Sequence, residues 1–371
     1  MNDSCQPTSE NILPLKFEYL KCITTHSHIN LLNYYLKAII DDTFSLFESV
    51  KKEFLLIYSY TEDFKVYSLF CYNIKNGQNV TKIAKAHNDR IYTVRHFLDQ
   101  NSNNDLLLTG SFDKYIKIWN LTNQYTLVCK LKPDYDYKVN TYLLSENLLF
   151  YNNNNYIITS AYEIESQGYE ILIYNLNNLK NFEKFENSKD NTNYLGVYYD
   201  YEKKKTYVTS GNLGNIKIFD FSNKKLIYKF DDNNVNTNYI SIIIKDNQKK
   251  EKQVIASSFD GYLRIWEFNN FNKMAYKIKG WKIEENIHYL NGLCLLNDQY
   301  ILGASTEERI KVFNLNTNNM IYSFQSKYID NDFIKHDQLL SIKTIDIQNK
   351  KYLISHSNNG LIELWKYEIK I

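Results

Sequence analysis

Seven histidines (26, 28, 87, 96, 288, 336 and 356) and five cysteines (5, 22, 71, 129 and 294) are the side chains best suited to hold a metal or act as nucleophiles. A protein-bound zinc needs convergent imidazoles and thiolates, which leave CxxC or HExxH spacings in a sequence. Here His26 and His28 form an HxH pair, and no third ligand accompanies them. A nucleophilic serine would sit in a G-x-S-x-G elbow and a phosphate in a glycine-rich loop; neither pattern occurs. The acid pairs Glu307-Glu308 and Asp231-Asp232 fall in turn-like stretches, where solvated carboxylates are expected rather than an acid and a base flanking a scissile bond. These residues predict a chain without catalytic site, metal or cofactor, and hence no small-molecule substrate.

Charge and hydropathy narrow the partners further. With 44 basic and 42 acidic residues the net charge is +2, so no global field steers the chain to nucleic acid or to an anionic membrane. Lys203–Lys205 and Lys249–Lys252, the second broken by Glu251, are short basic runs in different connections. No run approaches the roughly 18 apolar residues of a membrane span, and Met1 to Asn11 has no apolar core. An odd number of cysteines without CxxC spacing predicts free thiols in a reducing compartment. The expectation is a soluble intracellular protein, cytoplasmic before nuclear or cytoskeletal.

What could position side chains is clearest in residues 106–121, LLLTGSFDKYIKIWNL. Leu106, Leu107 and Leu108 open an apolar run, Gly110 to Lys114 supplies turn residues, and Tyr115 to Leu121 resumes a β-branched and aromatic run. The pattern is a hairpin. Ser111 and Asp113 can bond the turn backbone, and Trp119 is large enough to pack between sheets.

A hairpin alone is marginal, but this one recurs. Aligned on a closing aromatic, similar stretches end at Tyr72, Trp119, Tyr174, Phe219, Trp266, Phe313 and Trp365, spaced 45 to 55 residues apart. That period is close to one four-stranded propeller blade. An all-β, seven-bladed propeller of antiparallel blades accounts for the length as one domain, and the three prolines mark no interdomain linker.

At this point the chain resembles the WD40-repeat β-propellers, from about Leu15 onward. The second unit is the best copy: Ala86-His87 stands where that family has Gly-His, with Ser111 and Asp113 eight and six residues before Trp119. The resemblance implies a structural network of His87, Ser111, Asp113 and Trp119. Blade five keeps Ser258, Asp260 and Trp266 without a histidine. Blade seven keeps His336, Ser357 and Trp365 with Asn359 for the aspartate, and blade six offers His288, Ser305, Glu307 and Phe313. His26, His87, His288 and His336 all precede inner strands, which gives them a structural role. The Trp-Asp dipeptide is nowhere intact, so the chain reads as a divergent member. Kelch-like Gly-Gly doublets and a D-x-D-x-D-G calcium run are both missing.

The ends should close the ring. The last blade has three strands by Ile371, and Leu15 to Thr24 is similar to the segment that supplies the fourth in the family, leaving 1–14 as a disordered tail and 15–371 as the propeller. Thr25-His26 and Ile29 to Tyr35 mimic the start of the next unit. Leu36 to Lys52, with Ile39, Ile40, Phe44, Phe47 and Val50, satisfies either a short helix or an extended inner strand. Ala161–Tyr169, Asp246–Gln253 and Gln325–Gln338 read as insertions or charged connections, where binding differences reside.

In peptide-binding members the residue before the turn aspartate, and the one after the first inner-strand aliphatic, face the channel mouth. The resemblance thus implies partner-binding positions at Tyr92, Phe112, Phe259, Ser341 and Asn358 on a non-catalytic scaffold for proteins or peptides. The phenylalanines equally satisfy a simpler role, covering their own turns. Two alternatives stand beside the scaffold. A ubiquitin-ligase substrate receptor would carry a W-D-x-R box, which is not met, and a propeller enzyme or cofactor binder would carry a ligand in its channel.

Overall fold

A computed structural model of the chain describes residues 15–23, 44–63, 66–132, 146–163, 168–186, 188, 192–231, 239–246, 252–268, 276–282, 290–306, 309–317, 319–325, 338–357 and 361–369. The tail expected over 1–14, His26, His28, the strand expected over Ile29–Tyr35, residues 36–43, His288, Glu307, the connection 326–337 with His336, and Asn358 and Asn359 lie outside these residues.

The described residues contain strands and no helix, arranged as seven antiparallel sheets of four strands. The first strands of successive blades pack on one another in a closed circuit, the seventh returning to the first. Side chains tie this hub together. Lys343 Nζ donates to the Phe44 carbonyl (2.7 Å), Asn291 to Leu339 (2.7 Å), Tyr194 to Ile242 (3.0 Å), and the His96 amide to Ser45 Oγ (2.8 Å). Arg95, from the first strand of blade two, reaches past blade three to the Leu195 carbonyl of blade four at 3.1 Å.

The core is not one mass but seven apolar clusters, one at each blade interface. Strand alternation feeds both faces of a blade. Leu106 and Leu108 point into the cluster shared with blade three, and Leu107, between them, into the cluster shared with blade one. That is why a buried central strand reads as an unbroken leucine run. Every closing aromatic is buried and packs on the preceding blade: Trp119 in the interface of blades one and two, Trp266 in that of four and five, Trp365 in that of six and seven.

Ring closure is as the sequence predicts. Leu15–Cys22 pairs antiparallel with Ile362–Ile369 as the outer strand of blade seven. Blade one differs from expectation. Its inner strand is Phe44–Glu48, paired with Phe54–Asp63 and lying inside the segment that satisfied either helix or strand. Phe44 and Phe47 are both buried although odd and even positions face opposite sides, because the strand is covered on both faces; that spacing imitates a helix. In blade three the insertion is a lengthened hairpin, with Glu163 paired to Gly168. In blade five Lys252 is not part of a solvated connection: it is buried and ion-paired with Asp200 of blade four at 3.1 Å.

Candidate functional site

The turns between the second and third strands of each blade share one end of the ring, because every blade repeats the same strand order. In blade two that turn hangs on a chain of hydrogen bonds. Trp119 Nε1 donates to Thr109 Oγ1 (3.0 Å), Thr109 Oγ1 lies 2.8 Å from His87 Nε2, and His87 Nδ1 lies 2.9 Å from Asp113 Oδ2. An indole can only donate, so the threonine oxygen accepts from Trp119, and its own hydrogen faces both His87 Nε2 and the Lys117 carbonyl at 3.5 Å. The Asp113 carboxylate can only accept, so His87 Nδ1 carries a proton directed at it. Burial pushes the His87 pKa below the usual histidine value against the opposing pull of Asp113. Burial alone would raise the Asp113 carboxyl, but the His87 bond and the amides of Asn88 and Tyr115 hold it below the usual range.

The hydroxyl joining imidazole to indole thus belongs to Thr109, not to Ser111 as expected. Residues two apart share a face of a strand, so both point the right way, and only the position of the indole along the strand separates them. Ser111 fastens the turn, as its place in the sequence predicts: its Oγ donates to the Asp89 carbonyl (2.9 Å) and accepts from the Asp113 amide (3.1 Å). The Phe112 amide donates to the Arg90 carbonyl at 3.0 Å. Phe112 is held partly exposed, its ring 5.2 Å from that of Tyr92.

Blade five reaches the same turn by different chemistry. Arg264, 3 % exposed, stands in place of the missing histidine; its guanidinium clamps Asp260 through both nitrogens and donates to Ser258 Oγ at 2.5 Å. Burial would raise the Asp260 carboxyl, and the Arg264 and Ser258 bonds more than offset it. Trp266 contributes packing, with Tyr239 and Phe230 each at 5.8 Å. Phe259 projects from this turn partly exposed. In blade seven Ser357 bonds the Leu361 carbonyl at 3.3 Å, whereas Trp365 Nε1 is buried with no hydrogen-bond partner among the described residues.

Of the expected partner-binding positions, Phe112 and Phe259 present surface. Tyr92 and Ser341 are buried, at 3 % and 0 %, and Tyr92 supports Phe112 from beneath. Leu213 was not anticipated. It is 47 % exposed on the equivalent turn of blade four, which Asn212 secures through Thr192 (2.9 Å), Ser210 and Asn215 (both 3.0 Å). The Asn-Leu-Gly-Asn sequence, with Gly214 at φ +79°, was the available signal. Among the described residues no three His, Cys, Asp or Glu side chains gather as a metal site, and no helix is long and apolar enough to cross a membrane. Cys22, Cys71, Cys129 and Cys294 are free thiols.

Residues 78–120 match the family profile described as WD domain, G-beta repeat. The chain is a seven-bladed β-propeller, and this segment is similar to a WD repeat. The matched segment runs from the outer strand of blade one through the third strand of blade two, the same offset between repeat and blade that lets Leu15–Cys22 complete blade seven. WD40 propellers, which this segment resembles, are generally protein-interaction scaffolds. No curated protein matches the sequence. Among solved structures the propeller is similar to the crystal structure of Chaetomium thermophilum Raptor, with a TM-score of 0.62 at 12 % identity. That likeness covers 89 % of this chain but 28 % of the Raptor chain, and it is a likeness of fold.

Proposed function

We propose that this propeller is a non-catalytic, intracellular platform that binds partner proteins or peptides on the end carrying these turns, with Phe112 and Phe259 as anchors. In this reading 15–371 is a single propeller, Tyr92 backs Phe112 and Leu213 extends the apolar contact. The observation that carries the reading is the pairing of partly exposed phenylalanines with turns fixed by the partly buried Asp113 and Asp260 networks. Large rings already held in place lose little freedom on binding, which is what interface hot spots exploit. The test is partner capture by the wild-type chain and by the Phe112→Ala/Phe259→Ala variant, after their melting temperatures are shown to be equal. A defined set of partners lost with the variant is the expected result; the same partners retained by both would overturn the assignment.

A further inference from the structure

Three asparagines precede a glycine, at 76, 291 and 359. With no side chain on the following residue, the glycine nitrogen can reach the asparagine Cγ and close a small ring, an intramolecular attack governed by geometry. Asn359 lies outside the described residues. The other two share a dipeptide and little else.

Asn291 is shut away. It lies in Leu290–Leu295, the inner strand of blade six, 3 % exposed, and its Nδ2 donates to the Leu339 carbonyl of blade seven at 2.7 Å. Gly292 is buried and paired with Ala304. Ring closure there requires the strand to open, because water must enter and the amide nitrogen that leaves is held by the neighbouring blade.

Asn76 is presented to solvent. It sits exposed in the turn between Val66–Asn73 and Gln78–His87, the third and fourth strands of blade one. Its Oδ1 accepts from the Gln78 amide at 3.0 Å, which folds the side chain over the Gly77 peptide and polarises Cγ. Charge developing on Oδ1 during attack meets a donor already in place. Gly77 has φ +74°, and a Cβ at this position would stand 3.3 Å from Lys21 Nζ, so a cation lies beside the residue whose nitrogen must lose its proton. Lys21 belongs to the closing strand and also donates to Tyr72 Oη. One restraint opposes the reaction: the Gly77 amide donates to the Asn73 carbonyl at 3.0 Å. A single bond in an exposed turn opens far more readily than a buried inner strand.

We propose that Asn76 is a deamidation site selected by the fold. The Gly77 nitrogen yields its proton to water and bonds to Asn76 Cγ; the bond from Cγ to Nδ2 breaks, and ammonia leaves with a proton taken from water. Water then adds to either carbonyl of the succinimide and opens it, leaving aspartate or isoaspartate at 76. The net change is water in and ammonia out, with nothing oxidised or reduced. The new carboxylate arises one residue from the Lys21 contact, and the isoaspartyl form lengthens the backbone of the turn by a methylene. Modification therefore acts where the closing strand meets blade one, and it creates a carboxyl of the class methylated by S-adenosylmethionine-dependent repair enzymes. None of this depends on what the channel mouth binds.

Peptide mapping by tandem mass spectrometry tests it, on the full chain aged in mildly alkaline buffer with and without urea, with enzymatic carboxyl methylation reporting isoaspartate. In the native chain Asn76 should convert and take the methyl label while Asn291 stays an amide; in urea both should convert at comparable rates. Asn76→Gln should remove conversion from the turn, since glutamine must close a larger and slower ring. Asn76 stable in the native chain yet reactive in urea, Asn291 converting as fast as Asn76 in the native chain, or conversion of the turn persisting in Asn76→Gln would each overturn the proposal.

Discussion

Tyr19 is the register partner of Trp365 in the strand pair that joins the two ends of the chain, and their rings meet edge to face at 5.2 Å. The seam is more than backbone pairing. Phe17 stacks on Phe324 of blade six at 4.6 Å, so the N-terminal strand also seals the interface between the last two blades.

Deleting residues 1–25 exposes the edge of Ile362–Ile369 and uncovers Trp365 at once, and an uncovered edge invites association. The truncated chain should melt at a lower temperature and with lost cooperativity in calorimetry. Cooperative melting at the wild-type temperature would contradict the role assigned to the seam.

Thr109→Val retains shape but removes the oxygen between His87 and Trp119, leaving two buried ring nitrogens unmatched. Each such loss costs about 1 to 3 kcal/mol, so urea denaturation should show a drop of about 2 to 6 kcal/mol, with Thr109→Ser restoring most of it. Ser111→Ala should cost about 1 kcal/mol, because it releases only turn bonds.

Arg264→Ala leaves Asp260 partly buried without its counter-ion, and breaking a buried pair costs about 3 to 5 kcal/mol. Combined with Asp260→Asn the loss should be well below the sum of the single variants, since the second change removes the stranded charge. Additive losses in a double-mutant cycle would show that the clamp carries no coupling.

Acid should weaken the ring in two stages. Burial lowers the pKa of His356 from 6.5 to about 4, and burial lowers that of His87 as well. Below pH 6.5 the unfolded chain binds more protons than the folded one, so this stability is intact above 6.5 and is lost as pH falls toward 4. For His356 the loss is on the order of 3 kcal/mol. The carboxyls of Asp113, Asp200, Asp220 and Asp260, held low, add a further loss below 3.8. Melting temperature against pH should be flat between about 7 and 8, and His356→Leu should flatten part of the slope between 6.5 and 4.

Blade number, the buried closing aromatics and the closure by Leu15–Cys22 were legible in the sequence, because repeat period, strand alternation and turn chemistry are properties of neighbouring residues. Leu106-Leu107-Leu108 could be read as a strand buried on both faces without knowing what covered it. The assignments that needed the folded chain all concern which side chain reaches which. Thr109 and Ser111 share a face, and only the placement of the Trp119 indole selects one. Arg264 replaces a histidine from a different strand, so no spacing within blade five reveals the exchange. Tyr92 and Ser341 are buried, Tyr92 within the cluster that blade two shares with blade three, and their place in the repeat does not reveal it. Lys252 looks like one more charge in a lysine-rich connection until blade four brings Asp200 to it. Sequence by itself determined the wheel, whose information is periodic and local; tertiary structure decided the contacts between blades, where residues far apart in the chain compete for the same buried hydrogen bonds.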